Sequence, residues 1–359
     1  MGMTEQAEQS EGSERARAGR RKLYIFALLT AAGVVLFVGL WLLVRVRPNG
    51  SVVRAIAAVN TAYALPPQEN AATIYDRLIA NNVSTGHPSD PRLPPKAIDA
   101  LIEASKRQRC WFPLSPGELC YRDHRKRWMA MGHWAMALER AARRDFAIDR
   151  LEAAATKLYC LMRIGDHLRQ QGLMVDLGAG IGLEMHAWRC LAEFVMSVGA
   201  TEEVLKVAEA MPGGLVDDWK RTSRLVLEAQ PLVSRSVVAE WSLRQRVSGW
   251  WQDLGKEDSE KVLRESYLHL LSLRRGVRLL VGIRRHYEAN EAWPDRLTEI
   301  VTLVPNQAMI DPFTEQPFVY EKVAEDDFYL YSKGPNRIDE NGSGDDGRIW
   351  PPEAATSRR

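Results

Sequence analysis

Between about Arg125 and Ala289 the apolar residues recur three and four positions apart, and this spacing constrains the fold more than any other feature of the chain. In KLYCLMRIGDHLRQQG, Leu158, Leu161, Met162 and Leu168 form one stripe with charges between them, the pattern of a helix that buries one face. Breaks are expected near Gly172, Gly199, the Pro212-Gly213-Gly214 triplet, Pro231 and Gly255, where glycine or proline interrupts the pattern. No stretch between the breaks alternates as a strand does. The expected fold class is therefore mainly α, with an all-α domain of helical hairpins over residues 51–285. Thr201, followed by Glu202 and Glu203, reads as a helix start with acids at the positive end of the macrodipole. Asp258 and Ser259 open a long helix running toward Asn290.

After Asn290 the texture changes to short apolar pieces, aromatic residues and prolines. FVYEKV and DFYLYS read as two short strands, so residues 286–352 are expected to form a small α+β module, with 353–359 as a tail. At the other end, Leu23 to Val44 carries no charge over 22 residues. As a helix this stretch would be roughly 33 Å long, enough for a hydrocarbon core. The expectation is a single-pass transmembrane helix over 23–44, preceded by a disordered cytoplasmic tail over 1–22. Arg15, Arg17, Arg20, Arg21 and Lys22 precede the span, which places the bulk of the chain in the periplasm of a bacterial inner-membrane protein, with membrane lipid as its first partner.

Export changes how the cysteines read, because disulfides persist in oxidising compartments. Cys110 and Cys120 flank WFPLSPGEL, a proline-rich loop they can staple. Cys160 and Cys190 fall on opposite sides of the break near Gly172, level with each other in an antiparallel hairpin. Four buried free thiols remain the alternative, and no C-x-x-C occurs that would suggest a zinc ribbon or a redox pair.

MVDLGAGIGL, at 174–183, has the D-x-G-x-G-x-G spacing of the first motif of S-adenosylmethionine-dependent methyltransferases. Such a loop needs a buried strand before it and alternating strands and helices after it. Helical spacing on both sides points instead to helix packing, with Gly178 and Gly182 on one face. No catalytic residues are assigned. The seven histidines are scattered, and H-E-x-x-H, G-x-S-x-G and Walker patterns do not occur. A formal net charge of +2 gives no global basic field, so nucleic acid is not an expected partner.

Residues 287–350 carry an ordered series of aromatic, proline and acidic positions. Tyr287, Trp293, Pro294 and Leu297 come first, then Asp311-Pro312-Phe313 with Pro317, Phe318 and Tyr320. Phe328, Tyr331, Ser332 and Gly334 follow, and Asp346 and Trp350 close the series. This succession resembles the C-terminal region of the major pseudopilins of type II secretion systems, whose glycine-rich loop binds calcium. The resemblance implies a calcium role for Asp346, with Asp345 beside it. Independently, Asp339, Asn341, Ser343 and Asp345 alternate around glycines, as oxygen ligands of a Ca²⁺ turn do. The expected metal set is Asp339, Asp345 and Asp346, binding Ca²⁺ weakly.

The function expected from these features is that of a membrane-anchored, exported scaffold or interaction protein with partners in the cell envelope, beside a type II secretion-like or other envelope assembly. The alternative is an exported enzyme whose site is assembled from distant histidines and acids of the helical domain.

Overall fold

The computed structural model describes residues 50–81, 93–116, 118–197, 200–240, 256–325 and 327–352. Among the described residues are nine α-helices: α1 (Gly50–Tyr63), α2 (Ala72–Ala80), α3 (Pro95–Ser105), α4 (Glu118–Ala147), α5 (Leu151–Arg169), α6 (Met174–Val195), α7 (Glu202–Ala210), α8 (Trp219–Glu240) and α9 (Lys256–Asn290). Two 3-10 turns follow (Leu297–Ile300, Asn306–Met309), and then strands β1 (Val319–Lys322), β2 (Phe328–Ser332) and β3 (Gly347–Trp350).

The α5–α6 hairpin is the centre of the helical body, with α4 against one side and α9 against the other. The two helices approach closely at a pair of glycines. A Cβ on Gly180 would lie 2.5 Å from the Gly165 carbonyl oxygen and 2.7 Å from Arg169 Cγ. Helix backbones reach this distance where neither carries a side chain at the contact. Gly178 and Gly182, the pair expected from the sequence, sit elsewhere on α6: Gly182 faces open space and Gly178 approaches Leu263.

Two large cores flank the hairpin. One gathers Leu158, Leu161, Trp188, Leu191, Tyr267, Leu270, Val277 and Leu280, and continues into the C-terminal module through Ile300, Phe328, Leu330 and Ile349. The other packs Tyr75, Leu101, Phe112, Trp134, Cys160 and Ile164 between α2, α3, α4 and α5. Full burial of side chains of this size contributes roughly 1.5–3 kcal/mol each. A smaller cluster joins α1 to α8 through Ile56, Trp111, Leu173 and Val233.

β1, β2 and β3 form an antiparallel meander in that order, with Tyr320 opposite Leu330 and Ser332 opposite Gly347. FVYEKV and DFYLYS supply β1 and β2, and β3 adds a strand not anticipated from the sequence. Pro231 lies inside α8, which runs through it. The expected breaks at Gly199 and Gly255 fall outside the described residues.

The fold class is mainly α with a small three-stranded antiparallel sheet, which corrects the expectation of a transmembrane element. Among the described residues no helix is long and apolar enough to cross a membrane, and the stretch 23–44 lies outside the described residues. The longest helix, α9, carries Arg274, Arg275, Arg278, Arg284 and Arg285 along its length. The membrane, single-pass and inner-membrane expectations that rested on a spanning helix are set aside with it. The thiols are corrected as well: Cys110, Cys160 and Cys190 are buried and free. Cys160 and Cys190 belong to different cores on the two sides of the hairpin, and burial pushes both thiols up to about 12. The side chain of Cys120 is outside the described residues.

Candidate functional site

A cleft of about 700 Å³ opens where α5, α6, α8 and α9 meet the segment around Trp111 and the loop after α7. Its floor is a chain of alternating charges that three helices supply. On α5, Asp166 accepts from Arg163 Nη1 at 2.5 Å, from Arg169 Nη2 at 3.0 Å and from Gln170 Nε2 at 3.2 Å. Arg169 Nε donates to Glu184 Oε1 on α6 at 2.8 Å. The other oxygen of Glu184 accepts from Arg274 on α9. The side chains of Arg169, Glu184 and Arg274 are 11%, 4% and 3% exposed. Burial works against the charge of Arg169, but Glu184 and Asp166 outweigh it and its pKa is raised.

The glycine contact is what brings this floor together. With no side chain on Gly165 or Gly180, α5 and α6 come near enough for Arg169 and Glu184 to meet across the hairpin. On α9, the two neighbours of Arg274 fix the cleft wall. Arg275 donates to the carbonyls of Leu215 and Ile310, and Arg278 to those of Ala208 and Met211. The last carbonyls of a helix are ready acceptors, and α7 ends at Ala210. Burial lowers the pKa of both arginines, with no carboxylate bonded to either among the described residues.

The rim is built differently. α8 begins at the cleft with Asp218, Arg221, Thr222, Arg224 and Leu225, and Arg109 faces it from the segment before Trp111. Asp218 accepts from the Tyr267 hydroxyl and from Thr222 Oγ1. Burial and the bond to Asp218 push the Tyr267 hydroxyl up to about 12. Arg224 pairs with Glu228 on the outer face of α8 at 3.2 Å. Arg109 and Arg221 are exposed and have no ion-pair partner among the described residues. Arg274 and Trp111 line the cleft, and their Nε and Nε1 atoms are buried with no hydrogen-bond partner among the described residues.

The residues singled out from the sequence lie elsewhere. MVDLGAGIGL is a continuous part of α6, so the loop that a methyltransferase motif requires is not formed. Asp176 is buried against His124, whose Nδ1 lies 3.0 Å from Asp176 Oδ1. Burial raises the pKa of Asp176, opposed by the bond to His124. The small cavity beside this pair, about 10 Å³, holds one water at most.

In the C-terminal loop, Asp346 Oδ2 accepts the backbone N–H groups of Glu340 and Gly342, at 2.9 and 2.8 Å. Asp339 accepts from the Tyr331 hydroxyl at 2.9 Å and pairs with Lys333. Asp345 donates its backbone N–H to Glu340. Gly334 sits under this loop with φ +63°, and a Cβ there would strike the Asp345 carbonyl oxygen. Asp339, Asp345 and Asp346 do not converge, and among the described residues no group of three or more histidines, cysteines or acids is arranged to hold a metal. Asp346 Oδ1 is buried without a hydrogen-bond partner among the described residues.

Sequence reasoning missed Arg163, Asp166, Arg169, Glu184 and Arg274. The available signal was SLRRGVRLLVG, where three arginines interrupt an apolar run that must be buried. No protein-family model, curated protein or solved structure matches the chain.

Proposed function

We propose that the protein binds a small organic anion in the arginine-lined cleft. The observation that carries this reading is the floor: three buried guanidinium groups share two carboxylates, which leaves one positive charge over, beside a donor with no partner. An uncompensated charge in a low-dielectric site is costly, and a bound anion removes the cost. The positive end of α8 opens at the same cleft and adds to the attraction. The role is binding rather than catalysis, because Asp166 and Glu184, the acids a reaction would call on, are each engaged by two arginines.

Calorimetric titration of the purified chain with inorganic phosphate and with citrate tests the reading. Binding is expected at one site, weaker at high salt, and lost in Arg274→Gln at unchanged helical content. Absence of binding by either anion to the folded wild-type protein sinks it.

A second reading attaches to the C-terminal module. The unpartnered Asp346 Oδ1 and its enclosing turn support a weak Ca²⁺ site, as the likeness to major pseudopilins implies, with the remaining ligands from backbone carbonyls and water.

A further inference from the structure

Resting on the anion-binding reading, we infer that the ligand of the cleft carries two separated anionic groups, one for the floor and one for the rim. The charge count divides into two parts. On the floor, Arg163, Arg169 and Arg274 face Asp166 and Glu184, and one positive charge is left over. On the rim, Arg224 is matched by Glu228, and Arg109 and Arg221 have no ion-pair partner among the described residues. Asp218, which lines the cleft and also acts on Arg169, is the one acid left to set against them, so a second positive charge is left over. The two surpluses differ in setting. The floor guanidinium groups are almost fully enclosed and their geometry is fixed by the ion chain, whereas Arg109 and Arg221 are exposed and free to close on a ligand.

Size points the same way. A bare inorganic ion fills the volume of a few water molecules, each about 30 Å³, while a cleft of about 700 Å³ is in the range that takes an organic molecule of tens of atoms. The lining also includes apolar side chains, Met162, Trp111 and Leu225. The Tyr63 and Trp111 rings meet at a tilt, with centroids 5.4 Å apart. This surface suits an uncharged spacer. The ligand class is therefore a small organic bis-anion with a carbon chain or ring between its charges.

The test compares matched pairs by calorimetry on the full chain: glutarate against butyrate, and ethane-diphosphonate against ethylphosphonate, with inorganic phosphate as the reference. In at least one pair the bis-anion is expected to bind at least about tenfold more tightly than its single-charged partner, as a second charge-assisted contact allows. In the Arg109→Gln/Arg221→Gln variant that ratio is expected to collapse toward about one. Phosphate binding with no bis-anion advantage in either pair overturns the two-ended ligand and leaves the anion-binding reading standing. A bis-anion advantage that survives loss of both rim arginines also overturns it. If phosphate itself does not bind, both fall together.

Discussion

Glu184 in the cleft and Asp346 in the C-terminal loop are almost equally enclosed, at 3% and 5% exposure, yet their charges are held by different means. Glu184 is held by guanidinium groups 15 and 90 residues away, brought in by two other helices. Asp346 is held by backbone N–H groups four and six residues away within its own turn. The first arrangement exists only when α5, α6 and α9 are packed, so its electrostatics and the tertiary fold are one property. The second is a local structure that needs little from the helices. The difference also bears on the two proposed sites: one would use surplus positive charge held by packing, the other a carboxylate oxygen left without a partner among the described residues.

The comparison is tested most severely at Glu184. Glu184→Gln takes the acceptor from Arg169 and Arg274 and leaves buried guanidinium groups uncompensated, so urea unfolding is expected to show a loss of about 3–5 kcal/mol. Replacing Glu184 and Arg274 together by methionine is expected to cost less than the sum of the two single changes. Additive losses would mean that the chain of charges is not a cooperative unit. Next in size is Gly180→Ala, which drives a methyl group into the Gly165 carbonyl and Arg169 and is expected to cost about 1–3 kcal/mol. Gly182→Ala, two residues away with open space around it, is expected to stabilise by about 0.5–1 kcal/mol. Equal effects at the two glycines would remove the close approach from the account of how Arg169 reaches Glu184.

The same contrast explains what the sequence discloses. Helices were legible because a buried face repeats at a period the chain itself displays, as in Leu158, Leu161, Met162 and Leu168. β1 and β2 were legible as short apolar runs rich in aromatic residues. The acidic loop was legible as a turn because its glycines and its bonding partners lie within a few residues. Which helical glycines touch was not, since α6 offers Gly178, Gly180 and Gly182, and only the rotation of α6 against α5 selects Gly180. The cleft was hidden for the same reason: Arg169, Glu184 and Arg274 each look like an ordinary helix-surface charge until packing encloses them. The cysteines misled because equal distance from a turn fixes height along a hairpin, not direction, and Cys160 and Cys190 point into separate cores.

At the C-terminal loop the expected effects are smaller. Asp346→Ala frees two backbone N–H groups in a partly enclosed turn and is expected to cost about 1–2 kcal/mol. Millimolar Ca²⁺ is expected to raise the melting temperature of the wild-type chain and to leave that of Asp346→Ala unmoved. No shift in the wild type would reduce the loop to a self-satisfied turn. Ca²⁺ should leave anion binding at the cleft unchanged if the two sites store charge independently.

The smallest effect is in the pH profile, where the two ways of holding a carboxylate differ in sign. Burial raises the pKa of Asp346 above its ordinary 3.8, with Asp339 and Glu340 adding to the rise and the N–H groups of Gly342 and Glu340 opposing it. The native state therefore holds this proton more tightly than the unfolded chain. The stabilisation is complete below 3.8 and is lost as pH rises through the native value. Glu139 on α4 is a carboxylate held by cations, as Glu184 is. Burial raises its pKa, but hydrogen bonds from His186 and Arg143 outweigh this and bring it down to about 2. Its contribution is present above 4.5 and is lost as pH falls toward 2. Unfolding free energies of wild type, Asp346→Asn and Glu139→Gln, measured between neutral pH and pH 3, should show this directly. The wild-type advantage over Asp346→Asn is expected to grow on acidification, and the advantage over Glu139→Gln to shrink. Parallel profiles would mean that the backbone amides balance Asp346 as fully as His186 and Arg143 balance Glu139, and the distinction between local and tertiary charge storage would lose its electrostatic basis.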